Sequence, residues 1–229
     1  MIRVRKASER GSSNLDWLDS KHSFSFADYY DPEHMGFGPL RVINEDMIDP
    51  GKGFGSHPHR DMEIITYIID GALEHKDSMG TGEVIRKGEL QRMSAGTGVV
   101  HSEFNHSSTE PVHLLQIWIR PEKSGIQPGY EQKQIELGDN TWTVLAGPEQ
   151  TESSLQIHQN VVLLGARIDA GHALAVPSEC WLQMIKGCAQ IGKLEIQSGD
   201  GVAVSSESGL HLAATEITEV LAFDMSLTN

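Results

Sequence analysis

The sequence predicts an all-β chain folded as two jelly-roll barrels. Three observations carry that expectation. Short runs of β-branched and aromatic residues recur, each closed by a turn rich in Gly, Pro, Asn or Asp. No stretch has the apolar spacing of a long helix. The layout of the first half returns in degenerate form in the second. Between the halves, Pro121-Glu122-Lys123-Ser124-Gly125-Ile126-Gln127-Pro128-Gly129 is rich in proline, glycine and charge, so the expected domains are 1–130 and 131–229.

Length and composition agree with a folded, soluble chain. The 229 residues allow one large or two small domains with a real core, and 38% apolar with 22% charged residues is globular. Eighteen Lys and Arg face 32 Asp and Glu, a net charge of −14. Such a surface repels phosphate backbones and anionic membranes, which argues against direct nucleic-acid or membrane binding. Only Cys180 and Cys188 are present, so the chain reads as a holder of reduced core thiols rather than a disulfide scaffold. The N-terminus lacks the apolar core of a signal peptide, and no run approaches membrane-span length. A cytoplasmic protein is expected, as a monomer.

The elements follow in order. Residues 1–30 form an entry segment, with a short strand at Arg3-Val4-Arg5-Lys6-Ala7 and a polar-aromatic connection at Asp16-Trp17-Leu18-Asp19-Ser20. His22 and His34 have no partner at ligand spacing and read as hydrogen-bonded structural residues. Leu40 to Ile48 is a strand ending at the turn Asp49-Pro50-Gly51. Glu63 to Asp70 is a strand rich in β-formers, closed by Gly71. Ala72 to Asp77 and Glu83 to Lys87 make a hairpin around Ser78-Met79-Gly80-Thr81-Gly82. Pro111 to Pro121 is apolar on both faces and therefore central. In the second half, strands are expected near 141–145, 154–158, 161–168, 180–185 and 221–224, with Ile185-Lys186-Gly187 matching Ile69-Asp70-Gly71.

Two segments carry the chemistry: Gly51-Lys52-Gly53-Phe54-Gly55-Ser56-His57-Pro58-His59-Arg60-Asp61-Met62-Glu63, and Gly96-Thr97-Gly98-Val99-Val100-His101-Ser102-Glu103-Phe104-Asn105. Each places two potential metal ligands one residue apart, His57 with His59 and His101 with Glu103. On an extended strand such residues point to the same face, so two neighbouring strands could close a pocket of three nitrogens and one oxygen. One His-x-His alone is weak; two pairs beside glycine-rich turns are strong. Imidazole and carboxylate suit Fe(II), Ni, Cu, Mn, Co or Zn, and the lack of a thiolate argues against a closed structural zinc. Four protein ligands leave coordination positions free, which suits catalysis or sensing. His158, His172 and His211 are scattered, and no metal is expected in the second barrel.

Gly51-x5-His57-x-His59-x3-Glu63 with Gly71 resembles the first cupin motif, and Gly88, Gly96 and His101-x3-Asn105 the second. The wording His57-Pro58-His59-Arg60-Asp61-Met62-Glu63, Met93-Ser94-Ala95-Gly96-Thr97-Gly98, Ser23-Phe24-Ser25-Phe26-Ala27-Asp28-Tyr29-Tyr30-Asp31-Pro32 and Gln116-Ile117-Trp118-Ile119 resembles the pirin family of bicupins over residues 1–130. Glu63 sits one residue early for a general cupin, and His101 follows Gly96 after four residues rather than two; pirins share both shifts. The resemblance implies Glu103 as the fourth ligand beside His57, His59 and His101, with Glu63 orienting a ligand imidazole. It implies iron, as Fe(II), or another divalent ion, and in bacterial members quercetin 2,3-dioxygenase activity. Glu103 would then take the proton of a flavonol 3-hydroxyl acidified at the metal, and the enolate would react with O2 with ring opening and loss of carbon monoxide. The alternatives are a non-catalytic metal or redox sensor acting through a protein partner, and an oxygen-independent sugar-type isomerase.

Overall fold

The computed structural model describes residues 1–226. These form β-strands throughout, one short 3-10 turn at Ala7–Glu9 and no α-helix, so none of their helices could cross a membrane. They divide into two compact units, one of residues 11–135 and 149–159, the other of residues 1–10, 136–148 and from 160 onward. The chain is therefore not cut once after residue 130. Ile2–Arg5 pairs antiparallel with Gly201–Val204, Lys6 Nζ lies 2.9 Å from the Asp200 carboxylate, and the Ala7 N–H donates to that carboxylate at 2.7 Å. A strand's partner far along the chain leaves no mark in its local sequence, which is why these ten residues read as part of the first barrel.

The 11–135 unit is built from two antiparallel sheets. One has the order Gly129–Gln134, Glu89–Ser94, Glu63–Asp70, Val112–Ile119, Leu40–Ile48, Leu18–His22, Gly11–Leu15. The other runs Gly53–His59, Val99–Asn105, Ala72–Asp77, Gly82–Arg86. Leu73 and Ile85 from the smaller sheet meet Ile48, Ile68 and Leu114 from the larger in one buried cluster. Each such side chain withdrawn from water contributes roughly 1.5–3 kcal/mol. Glu63–Asp70 and Val112–Ile119 pair with each other at the centre of the larger sheet, which explains their nearly continuous burial.

One expected connection is a strand. Residues 16–20 overlap Leu18–His22, which pairs with both Gly11–Leu15 and Leu40–Ile48. Its inward residues are Leu18, Ser20 and His22, all buried. Two of the three are polar because they face a cavity, so the apolar alternation that marks a half-buried strand is missing.

In the second unit, Ile2–Arg5, Gly201–Val204, Cys180–Lys186, Thr218–Asp224, Val162–Ile168 and Thr143–Gly147 are successive neighbours. A second sheet has the order Ala173–Ala175, His211–Ala214, Cys188–Ile191, Leu194–Gln197. Its order (first, fourth, second, third in the chain) is that of the smaller sheet in the other unit. The expected internal match also holds in backbone terms: Gly71 has φ 83° and Gly187 φ 87°, each between a long buried strand and the next sheet. A Cβ at Gly187 would meet the Ile217 carbonyl oxygen at 2.4 Å, so glycine is required there by space as well as by φ. Cys180 and Cys188 are both free thiols, the first buried and the second half-buried.

Candidate metal centre

The smaller sheet of the 11–135 unit assembles the site. Gly53–His59 and Val99–Asn105 pair antiparallel with His101 opposite His57, and the register slips between His101 and Glu103 so that Glu103 pairs with Phe54. Gly53 allows the close approach at that slip, since a Cβ there would lie 2.1 Å from the Glu103 carbonyl oxygen. On its other edge Val99–Asn105 pairs with Ala72–Asp77, His101 opposite Asp77 and Glu103 opposite His75.

The three expected imidazoles converge. Ring centres lie 4.8 Å apart for His57 and His59, 4.4 Å for His57 and His101, and 4.8 Å for His59 and His101. The Nε2 atoms of His57 and His101 face each other at 3.0 Å. A backbone carbonyl only accepts, so the 2.8 Å contact of His57 Nδ1 with Gly55 O puts the ring proton on Nδ1 and the lone pair on Nε2. Burial, then the neighbouring His101 and His57, pulls His59 down to about 4. Burial, then His57 and His75, pulls His101 down to about 3. Both rings are therefore neutral near pH 7, the form that ligates a metal.

Glu103 is buried, with Oε2 4.0 Å from His101 Nε2. Both its oxygens accept from Gln116 Nε2, at 3.0 and 3.1 Å, and Gln116 Oε1 accepts from the Thr66 hydroxyl at 3.1 Å. Two groups could hold a metal ion, His57 with His59 and His101, and His75 with His101 and Glu103, each with its donor atoms within 4.8 Å of one another. Two nitrogens each about 2.1 Å from one ion and at right angles lie about 3.0 Å apart, so the facing Nε2 pair fits a divalent first-row ion.

The cluster opens into a cavity of about 300 Å³. Leu15, Leu18, Phe26, Phe54, Ile64 and Trp118 give it an apolar wall, and Ser20, His22, Asn44 and Asp46 a polar one. Trp118 meets His59 edge-on at 4.8 Å, and Phe26 meets Trp118 edge-on at 5.4 Å. His22 is hydrogen-bonded as expected, Nδ1 to Asn44 Oδ1 and Nε2 to Ser13 Oγ, both at 2.8 Å. Burial, opposed by a hydrogen bond from Ser20 and reinforced by Glu103, raises the Asp46 carboxyl to about 7.

The pirin family profile matches residues 2–119, and the profile described as the quercetinase C-terminal cupin domain matches residues 144–225. The chain belongs to the pirin family. The Escherichia coli K12 protein named quercetin 2,3-dioxygenase is 48% identical over 98% of this chain and 99% of its own. The crystal structure of the bacterial pirin YhhW from Escherichia coli matches at 46% identity with a TM-score of 0.93, covering 98% of this chain and 97% of that one. A second structure of YhhW, in complex with nickel(II), matches at the same identity and TM-score, covering 98% of each chain. These matches make the fold a bicupin, two cupin barrels in one chain.

In this pirin, Glu63 does not orient a ligand imidazole. Its buried Oε2 accepts from Ser94 Oγ at 2.9 Å and from the backbone N–H of His158 at 3.3 Å, with His158 Nδ1 also at 3.3 Å. Glu63 heads its strand in register with Ser94, on the larger sheet rather than the sheet that carries His57, His59 and His101, so it faces the 149–159 segment. His75 also belongs to this cluster, although its local sequence gives it no prominence. It stands two residues before Asp77 on a strand, the same i, i+2 spacing that drew attention to His57 and His59.

Proposed function

We propose that this pirin is a metal-dependent dioxygenase that cleaves flavonols of the quercetin type with O2, using His57, His59, His101 and Glu103 as ligands to a divalent metal. The observation that carries the reading is the convergence of three imidazoles beside a buried carboxylate, opening into an apolar, aromatic-lined cavity. Full-length identity of 48% to a relative named for this reaction supports it. Fe(II) is our assignment for the metal, with Ni, Cu, Mn, Co or Zn as competitors. Imidazole and carboxylate donors accept all of them, and the Escherichia coli relative is described with nickel(II). We assign the metal to the 11–135 unit and a structural role to the other, and place the protein in the cytoplasm, where its two free thiols would stay reduced.

When bound, the metal supplies Lewis-acid stabilisation of the deprotonated enol oxygen and a site for O2. The residues do the rest. Glu103 takes the 3-hydroxyl proton, its carboxylate held in place by Gln116. His57 is fixed in its ligating tautomer by the Gly55 carbonyl. Phe26, Phe54 and Trp118 line an apolar wall that would exclude bulk water from the reacting ring.

The test is anaerobic reconstitution of chelated protein with Fe(II) or Ni(II), addition of quercetin, then O2. Flavonol absorbance should fall with release of carbon monoxide, and His59→Ala should abolish the loss. A protein that holds the metal yet leaves quercetin intact would favour the sensor reading instead.

A further inference from the structure

If both Nε2 lone pairs of His57 and His101 are committed to a cation, each ring must place a proton on Nδ1. For His57 that proton has an acceptor, the Gly55 carbonyl at 2.8 Å. For His101 it has none: Nδ1 is buried without a hydrogen-bond partner. An unmet buried donor is costly, and ligating imidazoles nearly always pass this N–H to an acceptor.

An acceptor stands beside it. His75 is fully buried, and its ring centre lies 5.3 Å from that of His101, tilted by 55°. Its Nε2 is 3.0 Å from Asp77 Oδ2. Asp77 Oδ1 already accepts the N–H groups of Met79 at 2.8 Å and Thr81 at 3.1 Å. A carboxylate fed from both sides is an acceptor only, so the proton of a neutral His75 ring sits on Nε2 and its lone pair on Nδ1. That Nδ1 is also buried and without a partner. Tyr130, 5.0 Å from His75 between ring centres, packs against the ring. One orphan donor and one orphan acceptor therefore lie on neighbouring rings with complementary tautomers.

From this geometry we infer that His75 is the positioning residue for His101, accepting its Nδ1–H through one bridging water, or directly once the two rings close up around the ion, and anchored in turn by Asp77. The chain runs one way, from the ligating Nε2 through His101 and His75 to the Asp77 carboxylate. It fixes the His101 ring and makes Nε2 a stronger donor to the ion. The inference rests on the metal reading above, but it is tested by metal affinity and spectroscopy rather than turnover.

Zn(II) and Ni(II) affinities would be measured by competition with a chromophoric chelator, and imidazole tautomers by 15N NMR of histidine-labelled, Zn(II)-loaded protein. In the wild type, His101 should carry a slowly exchanging Nδ1 proton. His75→Phe keeps the ring packing and removes the acceptor; affinity should fall roughly 10–100-fold. His75→Gln can accept through Oε1 and donate to Asp77 through Nε2, and should recover most of the loss. Unfolding curves of the metal-free variants would confirm that each is folded. His75→Phe binding within twofold of the wild type overturns the inference alone. So does a His75 nitrogen with the shift of a metal-bound atom, which would make it a ligand. A wild-type chain that takes up neither ion overturns the metal reading and this inference together.

Discussion

Acidifying the metal-free chain from pH 7 to pH 5 sets buried groups of opposite sense against each other. His59 and His101 sit at about 4 and about 3, against an ordinary 6.5, chiefly through burial. Over this interval the unfolded chain takes up both protons and the native chain takes up neither. Their contribution is complete above pH 6.5 and is lost as pH falls towards 4 and 3, about 2 kcal/mol each at pH 5. Asp46 runs the other way. Burial holds its carboxyl at about 7 against 3.8, so the native chain keeps a proton that the unfolded chain has released. That contribution fades as pH rises through 7 and returns about 2 kcal/mol between pH 7 and pH 5. The wild type should thus lose about 2 kcal/mol net, beyond changes common to every variant. Asp46→Asn removes the gain and should lose about 4 kcal/mol, whereas His59→Phe combined with His101→Phe should gain about 2 kcal/mol. Urea unfolding of chelated protein at pH 7, 6 and 5 measures all three, with m-values checked for two-state behaviour. Coincident pH slopes for the three proteins would refute the assignment of these shifts to burial around the cavity.

Gly53→Ala places a Cβ 2.1 Å from the Glu103 carbonyl oxygen and 2.5 Å from Phe104 Cα, so the two ligand strands must part; thermal unfolding should show a loss of about 1–3 kcal/mol, with weaker metal binding. Gln116→Leu strips a buried carboxylate of its amide donor and should cost about 1.5–3 kcal/mol in denaturant titration, with little further cost on adding Thr66→Val, because Thr66 acts through the same amide. Chelation should lower the melting temperature reversibly, since an ion at a thousandfold excess over its Kd stabilises by about 4 kcal/mol; a melting curve indifferent to metal would count against the centre.

Much of the first unit was legible because its signals are local. Leu40–Ile48 and Glu63–Asp70 are legible with their observed bounds, since an unbroken run of β-formers closed by a turn needs no tertiary information. The convergence of His57, His59 and His101 was legible for the same reason: i, i+2 spacing fixes a face, and two such faces on paired strands must meet. What escaped depended on partners remote in sequence. Ile2–Arg5 joins a strand near residue 200, and Leu18–His22 carries polar inward residues because it lines a cavity. Glu63 could be placed on a strand from sequence, but only the fold shows that it faces His158. His75 has the same spacing to Asp77 as the ligand pairs, but a His-x-Asp inside a hairpin attracts no notice until the pairing sets it beside Glu103.

The two sheets of the 11–135 unit contribute different parts of the site, with Gln116 of the larger sheet reaching Glu103 of the smaller. His57, His59, His75, His101 and Glu103 come from the smaller sheet, while Ser20, His22, Asn44 and Asp46 come from two adjacent strands of the larger one. Substitutions in the polar wall should therefore act on substrate and spare the metal. Asn44→Ala removes the amide oxygen that meets His22 Nδ1, and Ser20→Ala removes the hydroxyl that donates to Asp46. Each deletes one hydrogen bond within the wall that faces the cavity, about 1 kcal/mol of folding stability in denaturant titration, and reshapes the polar surface a hydroxylated flavonol would meet, so its Kd should rise. Metal content should be unchanged in both. Loss of the ion on altering Ser20 or Asn44 would mean that the polar wall supports the metal rather than the guest, and the separation of that wall from the metal centre would fail.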